Sequence, residues 1–196
     1  ALIIEMPGHG EAMAVDKWTA IRVVEHTVEL MDSLDEMLPQ KEISNIVFYG
    51  HSMGGFVALN LSKRIDRYYW GSKVKGWILE SPMTKYSMVY ENSMRHFMVP
   101  KILHTQIKNR LFAHFNELHP NEKPIKLLSQ LDVPIWGLPK QPTLVIQAGE
   151  DKVLGRTHYE LLVSSMKDAG LEENLTAHIL EKMKHSGERI NSARNE

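Results

Sequence analysis

Cysteine is absent from the 196 residues, which excludes disulfides and thiolate metal sites. An excess of either charge is absent too. Lys and Arg total 23 against 24 Asp and Glu, a formal net charge of −1 at pH 7. Such a chain has no overall field to attract nucleic acid or an anionic membrane, and no basic stripe with interleaved aromatics. No apolar run approaches the length needed to cross a bilayer, so no transmembrane segment is expected. The chain starts at Ala1 within a strand-like run and has no initiator methionine, which leaves room for an upstream segment. The missing cysteines leave the compartment open, with the cytoplasm favoured. The sequons Asn60-Leu61-Ser62 and Asn174-Leu175-Thr176 carry little weight, the first falling inside an expected core helix.

What is present is an apolar content of 43%, enough for one sizeable core in a single domain with insertions. Ala1-Leu2-Ile3-Ile4-Glu5-Met6 reads as a buried strand ended by Pro7-Gly8-His9-Gly10. Apolar residues then recur at Trp18, Ile21, Val24, Val28, Met31, Leu34 and Leu38, one face of a long helix that Pro39 stops. Further strands are expected at Ile46–Tyr49, Val74–Leu79, Thr143–Gln147 and Leu175–Met183, with helices over 56–63 and 158–167. Gly170 marks the end of the latter helix. This alternation predicts an α/β fold, a mostly parallel sheet flanked by helices on both faces. Residues 84–141 break the rhythm. Rich in Met and Phe and cut by prolines, they read as a helical cap inserted after the third expected strand, between core segments 1–83 and 142–196.

Gly50-His51-Ser52-Met53-Gly54-Gly55 lies between a strand-like and a helix-like stretch and fits G-x-S-x-G. A turn that sharp strains the backbone at Ser52 and pushes its hydroxyl into a cleft, while Gly50 and Gly54 leave room beside it. Gly55 lets the helix start close against the strand. A serine hydroxyl is a poor nucleophile until a base takes its proton, and histidine suits that task at neutral pH. A carboxylate then fixes the imidazole tautomer. Asp151 and His185 follow Ser52 in that order, each just past an expected strand, at the edge where open parallel sheets build their sites. Glu80 is the alternative acid and His178 the alternative base. His9 and His51 lie near the expected cleft, more in keeping with structural or substrate-adjacent roles. The histidines lack the tight spacing or clustered carboxylates of a metal site, and the chemistry needs no metal or other cofactor.

These segments together resemble an α/β-hydrolase of the monoacylglycerol lipase and lysophospholipase-like group. The resemblance rests on Met6-Pro7-Gly8-His9-Gly10, the Gly50–Gly55 elbow, the run from Pro142 to Val153, and Lys184-His185-Ser186. It implies a serine esterase with Ser52 as nucleophile, Asp151 as acid, His185 as base and the Met53 amide as one oxyanion donor. The implied partner is a small ester, lipid-like in character. Met83, Met88, Met94, Phe97 and Met98 are expected to supply an apolar substrate wall, since Met adapts to irregular apolar surfaces. Thioesters, amides next to proline and carbon–carbon bonds β to a ketone remain open on the same three residues, as does an inert binding role. Matched to the family, Ala1–Met6 would be its fourth strand. The strands before it, and the second oxyanion donor that follows the third, are then expected from a missing N-terminal segment.

Overall fold

The computed structural model describes residues 1–38 and 43–185. Thr19 opens α1 (Ala20–Asp32), its hydroxyl accepting the Arg22 amide as an N-cap. That cap explains why the helix starts two residues later than the periodicity from Trp18 indicated. Ser33 ends it, its hydroxyl donating to the Leu30 carbonyl, so the long helix is in fact α1 followed by a single turn, α2 (Leu34–Met37). Pro39 lies outside the described residues.

The chain then runs β1 (Ile46–His51), α3 (Met53–Ser62), β2 (Val74–Glu80), α4 (Tyr86–His96), α5 (Lys101–Leu118), β3 (Thr143–Glu150), α6 (Arg156–Asp168) and β4 (Leu175–Lys184). Four parallel strands stand in the order β1-β2-β3-β4. Helices α4 and α5 lie between β2 and β3, so the insertion follows the second strand rather than the third. The cause is at the N-terminus: Ala1–Met6 is not a strand. Among the described residues no strand lies beside the outer edge of β1 to pair with it, and Leu2 and Ile3 are exposed. The segment instead folds back through a loop in which the Gly8 amide donates to the Met13 carbonyl and the His9 amide to that of Met6.

Side chains alternate across the sheet, and the two faces differ. Phe48, Trp77, Leu79 and Val145 share one face, where they join Phe56, Leu59, Leu162 and Met166 of α3 and α6 in the core. On the other face Val47 and Tyr49 are 57% and 58% exposed, and Ile78, Leu144, Ile146 and Leu180 are only half-buried. Cover on both faces, as the alternation predicted, is therefore not what the described helices provide; α1, α3 and α6 build one layer. Among the described residues no helix is long and apolar enough to cross a membrane.

Within the inserted stretch, the indole of Trp136 stacks on Phe56 at 4.4 Å and donates to the Phe56 carbonyl. Asp132 accepts from both the amide and the hydroxyl of Ser87, which fixes the start of α4. Helix α6 ends as its sequence indicates. Gly170 adopts φ +70°, with its amide on the Lys167 carbonyl and the Leu171 amide on that of Met166.

Candidate active site

Ser52 joins β1 to α3 at φ 52° and ψ −113°, a conformation that costs on the order of 1–3 kcal/mol for a non-glycine residue. Three bonds hold it there. Its amide donates to the Glu80 carbonyl at 3.0 Å, and its own carbonyl accepts the amides of Met83 and Phe56. The glycines divide the remaining work unequally. A Cβ on Gly50 would meet the Gly54 carbonyl oxygen at 2.6 Å, and one on Gly55 would meet Pro82 at 2.6 Å. A Cβ on Gly54 would meet only Met6, at 3.7 Å, an ordinary contact. The tight places are thus Gly50 against the first helical turn and Gly55 against the end of β2.

The Ser52 hydroxyl lies 2.8 Å from Nε2 of His185, whose Nδ1 lies 2.8 Å from Oδ2 of Asp151. The three residues follow β1, β3 and β4 at their C-terminal ends, so one rim of the sheet brings them together. Ionised Asp151 only accepts, so Nδ1 of His185 carries the proton and Nε2 is left to accept from the hydroxyl. Oδ1 of Asp151 also takes the amides of Val153 and Leu154, and Oδ2 the side-chain amide of Gln147. Burial raises the Asp151 pKa, but the Leu154 amide, His185 and the Val153 amide outweigh it and hold the carboxyl below its ordinary range. The Met53 amide stands in the first turn of α3, where backbone N–H groups have no acceptor within their own helix.

The other sequence candidates fall elsewhere. Glu80 is buried and accepts the Tyr49 hydroxyl, 3.9 Å from Nε2 of His51. His178 is exposed on β4, and His9 is exposed with Nδ1 at 3.3 Å from the Pro7 carbonyl. Glu150 is exposed. Met83 is buried directly behind Ser52, Met88 and Met94 are half-buried on α4, and Phe97 and Met98 are 69% and 87% exposed where α4 ends. An apolar cavity of 140 Å³ reaches Met53 and is walled by Phe56, Tyr86, Phe112, Phe115 and Trp136. A second hollow of 220 Å³ opens at the rim between Lys152, Val153 and His185. None of Met83, Met88, Phe97 and Met98 lines either one. No cluster of three or more metal-ligating side chains occurs among the described residues.

Three contacts escaped the sequence. Gln147 steadies Asp151; its only signal is a polar residue inside an apolar strand. His158, buried in α6, accepts the Thr84 and Lys85 amides at Nδ1, and Thr84 donates its hydroxyl to the His158 carbonyl. Both contacts tie the root of the inserted stretch to the helix that follows Asp151. His51 lies 2.6 Å from the backbone carbonyl of His185.

A parallel sheet with a serine on a strained strand-to-helix elbow is the fold of the α/β-hydrolases, and solved structures agree. A Pyrococcus furiosus esterase superposes with a TM-score of 0.57 over 92% of this chain, at 17% identity and covering 60% of that protein. A mouse alpha/beta hydrolase domain-containing protein 10 gives 0.53 over 92%, at 13% identity and 68% of its length. A Pyrococcus horikoshii acylaminoacyl peptidase gives 0.55 over 86%, at 16% identity and 24% of its length. The family described as serine aminopeptidase, S33 matches residues 2–133, and the chain belongs to it. A Mycoplasma genitalium protein, provisionally named esterase/lipase 2, is 31% identical over 122 residues, or 62% of this chain. The chain spans 39% of the length of that relative.

Proposed function

We propose that the protein is a serine hydrolase that cleaves carboxylic esters through an acyl-enzyme. The observation that carries this reading is the hydrogen-bonded line Ser52–His185–Asp151 at the C-terminal rim of the sheet. Ser52 Oγ attacks the ester carbonyl as its proton passes to Nε2 of His185. Asp151 keeps Nδ1 protonated and steadies the imidazolium. The oxyanion develops against the Met53 amide. His185 returns the proton to the leaving alcohol, and water then releases the acid by the same route.

The substrate in this reading is a lipid-derived monoester or lysophospholipid-like ester, the acyl group lying in the apolar cavity beside Met53. Residues Tyr86, Phe112, Phe115 and Trp136 of the 84–141 cap wall it, in place of the expected Met83, Met88, Phe97 and Met98. The names of the 31% identical relative and of the superposed archaeal esterase favour an ester. The family's name favours an amide, so cleavage of an N-terminal aminoacyl bond on the same residues is the second reading.

Turnover of p-nitrophenyl butyrate by the full chain, set against an aminoacyl p-nitroanilide, separates the two. In the preferred reading the ester is cleaved and Ser52→Ala lowers turnover by about 10⁴-fold or more. Near-normal turnover by that variant overturns the mechanism, and preferential cleavage of the anilide replaces ester by amide.

A further inference from the structure

His51 immediately precedes Ser52 and its side chain is 29% exposed. Its Nε2 lies 2.6 Å from the backbone carbonyl oxygen of His185. A carbonyl only accepts, so Nε2 of His51 carries a proton and donates it there. Glu80 Oε1 stands 3.9 Å from the same nitrogen, beyond hydrogen-bond reach, which leaves the His185 carbonyl as the acceptor.

That acceptor is a significant one. The ladder between β3 and β4 ends with Glu150 opposite Lys184, so His185 stands one residue past the last paired position of its strand. Its imidazole is oriented by Asp151 at Nδ1, but a ring bond alone leaves the main chain free to shift along or away from the rim. The bond from His51 ties that main chain to the residue next to Ser52, on the strand at the opposite edge of the sheet. The two rings also lie side by side, 5.1 Å between centroids.

We infer that His51 is a positioning residue which sets the distance between Ser52 and the base by holding the His185 carbonyl; this rests on the proposed role of Ser52 and His185. It touches neither substrate nor the reacting atoms. Its effect is to keep the 2.8 Å Ser52–His185 contact from lengthening, and displacements of about 1 Å at such a contact cost on the order of 10²-fold in rate.

The test uses the full chain and three variants chosen by reach. His51→Gln places an amide N–H near the position of Nε2, His51→Asn places one too short to arrive, and His51→Phe removes the donor while keeping a ring. With p-nitrophenyl butyrate, Phe and Asn are expected to lower kcat by about ten- to a hundredfold with KM within threefold of the parent. The rate of labelling by a fluorophosphonate probe should fall by the same factor, and Gln should restore most of both. Should the Phe variant fail to fold, the Asn and Gln pair carries the same comparison. Parental kcat in both Phe and Asn, or equal losses in Asn and Gln, overturns the inference. A parent chain inert to the fluorophosphonate overturns the serine-hydrolase reading instead, so the two failures are told apart.

Discussion

Phe48 and Val47 are neighbours on β1, yet Phe48 stacks on Trp77 at 5.0 Å while Val47 is 57% exposed. They represent the two faces of the sheet. One is closed by α1, α3 and α6 over Trp77, Leu79 and Val145; the other carries Val47, Tyr49, Ile78, Leu144, Ile146 and Leu180 with none of those helices upon it. The strands are apolar on both sides, as the strands of two-sided parallel sheets are. Composition therefore treats the faces alike, and packing does not. Stability should follow packing, and substitutions on either side of one strand can measure it.

The largest effect is expected on the closed face. Phe48→Ala removes a ring that contacts both Trp77 and Trp70 and leaves a cavity beside them, a loss of about 3 kcal/mol. Urea unfolding followed by tryptophan fluorescence reads this as a fall in midpoint with little change in slope. A loss under about 1 kcal/mol would mean that this face is no better packed than the other.

The fold is most legible in the sequence where local chemistry decides. Strands β1 to β4 show as apolar runs, the Schellman end of α6 follows from Gly170, and the Ser52 elbow from its glycines and flanking elements. That Ser52, Asp151 and His185 meet is legible because each directly follows a strand end, and parallel strands put those ends on one rim. Ala1–Met6 misled because a β pattern is realised only against a neighbour, and none of the described strands borders that edge. Which face the helices choose is likewise silent in the sequence, since alternation fixes their number but not their side. The contacts of His51 with His185, of Gln147 with Asp151 and of His158 with Thr84 join residues that only tertiary approach brings together.

An intermediate effect concerns acid. His158 is buried in α6, and burial lowers its pKa from the ordinary 6.5 to about 4, against the pull of Asp151 and Asp132 and with Lys85 and His185 pushing the same way as burial. Its Nδ1 accepts two amides, so a proton there removes the acceptor that holds residues 84 and 85. Between pH 4 and 6.5 the unfolded chain binds a proton that the folded chain does not, so stability rises with pH across that window. The contribution is complete above about 6.5 and is lost as pH falls toward about 4. The Tm is expected to drop by on the order of a few degrees over this range, beyond the loss that Asp151 adds at lower pH. His158→Asn keeps an acceptor near Nδ1 and cannot titrate, so its Tm should start lower but vary less with pH. An unchanged slope in that variant would assign the acid sensitivity to other groups.

The smallest effect is expected on the open face, and it is the most telling about the comparison. Val47→Thr keeps a β-branched side chain, and therefore strand preference, while placing a hydroxyl where more than half the surface already meets water. If none of the surrounding layers touches Val47, the change in stability stays within about 0.5 kcal/mol. A polar atom pressed under a cover would instead cost on the order of 1–3 kcal/mol. Repeating the measurement at two protein concentrations gives the result its meaning. A small, concentration-independent change shows a face that is open in solution; a loss that grows with concentration shows copies of the chain closing that face on one another, because association stabilises the folded state by mass action.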